Sequence, residues 1–93
     1  MVKKVNASHI LVKTEQDANV ILYDLEHGGN FEEIAKEKSE CPSGKKGGNL
    51  GWFGRGQMVR EFETACFSTK KGDIIGPVKT EFGYHIIKII DTQ

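Results

Sequence analysis

The segment Val5-Asn-Ala-Ser-His-Ile-Leu-Val-Lys13 constrains the fold more than any other. A strand alternates its side chains between two faces. Here Val5, Ala7, His9 and Leu11 fall on one side, with Ile10 and Val12 on the other. A strand with two apolar faces belongs at the centre of a sheet covered on both sides. The run Tyr84-His-Ile-Ile-Lys-Ile-Ile90 near the other end is also strongly apolar, with His85, Ile87 and Ile89 sharing a face. Both segments therefore set a histidine among aliphatic side chains.

Between them the period changes. Thr14-Glu-Gln-Asp17 opens a helix carrying Ala18, Ile21, Leu22 and Leu25 at helical spacing, and His27-Gly28-Gly29 ends it. Asn30, with Glu33 three residues on, caps a second helix whose stripe is Phe31, Ile34 and Ala35. Residues 40 to 51 read as a loop, and residues 50 to 53 as a short strand. Val59, Phe62, Ala65 and Cys66 predict a third helix over 59 to 67. After a turn at Lys71-Gly72-Asp73, strands at 75 to 79 and 84 to 90 form a hairpin through Thr80 to Gly83. The expected class is α+β: a small, mostly antiparallel sheet with helices packed on it.

A chain of 93 residues is read as a single domain, residues 1 to 93, with room for one modest core. Thirteen basic residues offset thirteen acidic ones, so no global field recruits nucleic acid or an anionic membrane. No apolar run approaches the roughly 18 residues of a membrane span, and the N-terminus lacks a signal-peptide core. A reducing, cytoplasmic location is expected, and a monomer, since no heptad stripe is visible. Cys41 and Cys66 lack zinc-ligand spacing, and neither a metal nor a cofactor is expected.

Eleven glycines are present, five of them between Gly44 and Gly54, and that cluster is the first pointer to a site. Its spacing is not that of a phosphate loop. A buried histidine pair needs partners, either each other or a hydroxyl such as Thr80 or Ser8, and low dielectric favours the neutral rings. Cys41, just before the cluster and near Lys45 and Lys46, is either a small semi-buried residue or a reactive thiol; Cys66 reads as core. Leu50, Met58 and Phe62 are either ordinary core or the wall of an apolar pocket for a ring-sized group. Lys13, Lys45, Lys46, Arg55 and Arg60 read mainly as solvated surface. Lys45, Lys46 and Arg55 could also form a basic fringe favouring acidic neighbours.

With these residues in view, the chain resembles the parvulins, the smallest family of peptidyl-prolyl cis/trans isomerases. The matching stretches are HILVK at 9 to 13, FEEIAKEKSECPSGKKGGNLGWFGRGQM at 31 to 58 and GPVKTEFGYHIIKI at 76 to 89, so the likeness covers about residues 6 to 90. It is especially similar to the stand-alone catalytic-domain type. The resemblance implies a four-stranded antiparallel sheet surrounded by about four helices. It also implies a site in which His9, Cys41 and His85 are catalytic, with Thr80 as the hydroxyl bridging the histidines. Leu50, Met58 and Phe62 would form the proline pocket, with Gln57 and Phe82 as neighbours. The implied partners are proline-containing peptides and unfolded segments. One branch recognises phosphorylated substrates through a long arginine-rich loop after the first strand. Here Lys13 is followed directly by Thr14-Glu15-Gln16-Asp17, so phospho-specificity is not expected.

Two other functions use the same residues. A Cys–His hydrolase could draw on Cys41, His9 and His85, but no nucleophile element at a helix N-terminus is recognisable. A non-catalytic proline-peptide binding or holdase module would need only the apolar pocket.

Overall fold

Strand β1 (Lys4–Val12) lies inside the sheet, as its two apolar faces require. In the computed structural model, which describes residues 2–93, it is followed by α1 (Glu15–Glu26) and α2 (Phe31–Lys38). A short 3-10 helix (Pro42–Lys46), β2 (Asn49–Gly54), α3 (Arg60–Phe67), β3 (Ile74–Thr80) and β4 (Gly83–Thr92) complete the chain. The four strands form one antiparallel sheet in the order β2-β1-β4-β3. The two most apolar strands are thus the central pair, and the shorter ones take the edges.

The caps lie where the polar residues predict. The Thr14 hydroxyl accepts from the Asp17 N–H at 3.1 Å, and Asn30 Oδ1 accepts from the Glu33 N–H at 2.9 Å. Each face of the sheet then buries one apolar group. Ile10, Val12 and Ile86 pack with Ala18 and Ile21 of α1 and Phe31 and Ala35 of α2. Val5, Ala7, Ile87 and Ile89 pack on the opposite side with Phe53 and with Phe62 and Cys66 of α3. Full burial pushes the Cys66 thiol up to about 12, so it packs as a small apolar group.

Among the described residues three α-helices and the 3-10 helix make up the about four helices that the resemblance implied. Other details differ from the sequence expectation. That 3-10 helix lies within the stretch expected to be irregular. Pro42 presets φ in its first turn, and Gly47, at φ 72°, ends it in the left-handed conformation. Strand β4 also runs two residues past Ile90, to Thr92. The β3–β4 register shifts between Ile75 and Val78, where Pro77 has no N–H to give the ladder.

Candidate active site

The site begins with strand register. His9 lies opposite Ile87, and Leu11 opposite His85. His9 and His85 are therefore diagonal neighbours on one face of the central pair, within reach across the sheet. Their rings stack at 5.2 Å with 16° between planes, and Nδ1 meets Nδ1 at 3.0 Å. The Thr80 hydroxyl lies 2.7 Å from His85 Nε2 and also accepts from the Phe82 N–H at 3.2 Å. Thr80 therefore reaches His85 alone and does not bridge the two rings, which meet directly.

The contacts form a buried chain from Thr80 Oγ1 through His85 to His9, in which one Nδ1 of the facing pair donates and the other accepts. The chain ends at His9 Nε2, which is buried with no hydrogen-bond partner among the described residues. Both histidines are nearly fully buried. Burial, reinforced by the charge His85 would carry, lowers His9 from 6.5 to about 4; burial also lowers His85. Two imidazolium rings would direct N–H groups at each other across 3.0 Å. The resting pair is neutral.

Phe62, from α3, stands edge-on to both rings, at 5.4 Å and 89° from His9 and at 5.1 Å and 75° from His85. Phe62 belongs to the core on this side of the sheet and also lines a cavity of about 480 Å³. His9, Cys41, Leu50, Gln57, Met58, Phe62, Phe82 and His85 all line that cavity. The structure brings these eight sequence-marked residues into one wall, and Thr80 stands one hydrogen bond behind His85.

Backbone ties hold the Cys41 side of this wall. The Ser39 hydroxyl accepts from the Leu11 N–H at 3.0 Å and from the Cys41 N–H at 3.4 Å. The Glu40 N–H donates to the Leu11 carbonyl at 2.8 Å, and the His9 N–H donates to the Gly48 carbonyl at 2.9 Å. The glycine-rich segment is thus fastened alongside β1 beside the histidine. The Cys41 thiol is half-buried and accepts from the Ser43 hydroxyl at 3.2 Å. On the other side, Gln57 Oε1 accepts from the Gly54 N–H at 2.6 Å, which closes the turn carrying Met58.

Leu11, Glu40, Pro42 and Val59 also line the cavity, although the sequence did not mark them as site residues. Leu11 was legible, since it shares the His9 side of β1. Glu40 and Pro42 flank Cys41, but nothing local tells which way an irregular segment turns its side chains.

Residues 3–91 match the model of the PPIC-type PPIase domain, the rotamases. The chain belongs to this family. It is a parvulin-type domain. It is 50% identical over 91 residues to the foldase protein PrsA of Geobacillus kaustophilus, covering 97% of this chain and 32% of that protein. The parvulin chain therefore spans about a third of the length of the curated relatives it matches. The PrsA peptidylprolyl isomerase of Bacillus anthracis superposes with a TM-score of 0.96 at 45% identity, over 99% of this chain and 43% of that one. The parvulin NmPin of Nitrosopumilus maritimus gives a TM-score of 0.86 at 44% identity, over 98% of this chain and 99% of that one.

Proposed function

We propose that this parvulin accelerates rotation about Xaa-Pro bonds in peptides and in unfolded or flexible protein segments, without a covalent intermediate and without selecting phosphorylated substrates. The observation that carries this reading is a buried, mutually hydrogen-bonded histidine pair set in the wall of a largely apolar cavity that Leu50, Met58 and Phe62 also line.

The reaction asks little chemistry of the protein. Amide resonance sets a barrier of about 18–20 kcal/mol, whereas the two isomers at proline differ by only about 0.5–1 kcal/mol. A gain of four to five decades requires about 5.5–7 kcal/mol of preference for the twisted over the planar amide. Twisting localises the nitrogen lone pair and makes the carbonyl less charge-separated, a state that an apolar pocket favours. Leu50, Met58 and Phe62 hold the proline ring while the preceding carbonyl turns past Cys41, His9 and His85. The histidines shape this surface and transfer no proton. Cys41 tunes the carbonyl's surroundings, since a covalent step would add a bond the reaction has no need to form.

Proton NMR exchange spectroscopy on succinyl-Ala-Xaa-Pro-Phe peptides tests the reading. Accelerated interconversion supports it; peptide binding with no acceleration favours the holdase alternative, and cleavage products in the mass spectrum favour the hydrolase. Met58→Ala is expected to lower kcat/KM about tenfold or more, because roughly 1.5–3 kcal/mol of contact with the ring is at stake. Cys41→Asp is expected to keep substantial activity, within about tenfold; complete loss alongside an intact circular dichroism spectrum would argue for covalent attack.

We also propose a monomer working in a reducing, cytoplasmic compartment. Two unpaired thiols, one of them in the cavity wall, support the redox part of that reading. A light-scattering mass of two chains would overturn the monomer. Fractionation of the source cells that recovered the protein outside the cytoplasm would overturn the location.

A further inference from the structure

The basic residues near the pocket in sequence do not supply its charge. Lys45 and Lys46 lie on the 3-10 helix and are not in the cavity wall. Arg55 stands over the Phe67 ring, 4.4 Å from its centre, and pairs with Glu63 at 3.5 Å. Among the described residues that line the cavity, the one with a formal charge at neutral pH is Glu40. Its backbone is held to β1 by the bond to the Leu11 carbonyl, two residues past His9. Its carboxylate meets Lys13 Nζ at 3.7 Å, with the two side chains 45% and 78% exposed respectively. A pair that open to water is weak and exchangeable. Phe82, 62% exposed on the turn between β3 and β4, lines the same cavity.

We infer that Glu40 and Phe82 read the residue before proline, favouring lysine or arginine there and disfavouring aspartate, glutamate and phosphoserine. The inference rests on the isomerase reading above. With the ring against Leu50, Met58 and Phe62 and the carbonyl at Cys41, the preceding side chain leaves on the Cys41–Glu40 side. A long basic side chain lays its aliphatic stem on Phe82 and exchanges its cation for Lys13 against Glu40. An acidic side chain meets the carboxylate as a like charge. The preference is the reverse of the one a basic fringe would give.

Exposed ion pairs change equilibria by roughly 1.5- to 5-fold. Attraction on one side and repulsion on the other therefore give about a tenfold ratio of kcat/KM between Xaa = Lys and Xaa = Glu at low salt, shrinking toward unity near ~1 M salt. NMR exchange spectroscopy on matched peptides with Xaa = Lys, Leu, Glu or phosphoserine reads exchange rate and affinity separately. Glu40→Gln is expected to flatten the ratio and Glu40→Lys to invert it. Lys13→Gln, which removes the competing cation, is expected to steepen it. Turnover that is equal for Lys and Glu peptides, or a ratio indifferent to Glu40→Lys, overturns this inference while leaving the isomerase reading intact. Binding without acceleration overturns the isomerase reading, and the affinities for the Lys and Glu peptides still decide on Glu40. Should Glu40→Lys fail to fold, Glu40→Gln and Lys13→Gln give the answer between them.

Discussion

Replacing Gly48 by alanine is expected to destabilise the protein by at least about 3 kcal/mol, and to abolish activity wherever the variant stays soluble. Gly48 has φ +88°, in the left-handed region that a side chain occupies at a cost of about 1–2 kcal/mol. The larger cost is steric. A Cβ at this position would fall inside contact distance of the His9 carbonyl oxygen, which is backbone of a central strand and cannot rotate away. It would also press on the Ala35 side chain. The Gly48 carbonyl accepts from the His9 N–H, so any retreat of the loop loosens His9 in the cavity wall. Gly51→Ala is the control: φ there is +74°, with nothing within 4 Å, so only the torsional cost of about 1–2 kcal/mol applies. Guanidinium melts of both variants decide the matter. Equal losses in the two would show that the close approach to β1 contributes nothing.

Acid is expected to destabilise the fold between about pH 6.5 and pH 4, through the histidine pair. The folded state holds His9 down at about 4 against 6.5 in the unfolded chain, so between those values the unfolded state binds more protons. Stability is therefore complete above pH 6.5 and drains away as pH falls toward 4. A displacement from 6.5 to about 4 corresponds to on the order of 3 kcal/mol. His85 is lowered by burial as well and acts in the same direction. Urea melts at pH 7 and pH 4.5 measure the loss, and His9→Asn is expected to show a smaller one. Imidazole nitrogen shifts supply the direct test: a His9 ring that titrates near 6.5 in the folded protein would remove the basis of this expectation.

Much of the fold was legible because its signals are local. The caps at Thr14 and Asn30, the helical stripes and the alternation in residues 5 to 13 each follow from a few neighbouring residues. The inner position of β1 followed from its two apolar faces. The 3-10 helix at Pro42–Lys46 was not visible, because a five-residue turn set by one proline and one left-handed glycine carries no periodic pattern. In the site, the residue types could be picked out singly, each with an ordinary packing alternative beside it. What joined them was long-range register: His9 and His85 lie 76 residues apart and touch only because β1 and β4 pair with Leu11 opposite His85.

The amino-acid order by itself thus settled where the three α-helices and four strands fall, that the first strand is buried on both faces, and which few side chains are worth watching. Only the folded chain decided that the histidines meet each other with Thr80 on one alone, that Arg55 turns away to Phe67 and Glu63, and that Glu40 supplies the charge in the cavity wall. The physical reason is range. Torsional preference and hydrophobic period act over a turn or a strand, whereas a hydrogen bond between rings or the facing of a carboxylate depends on how distant strands are registered to within an ångström or so.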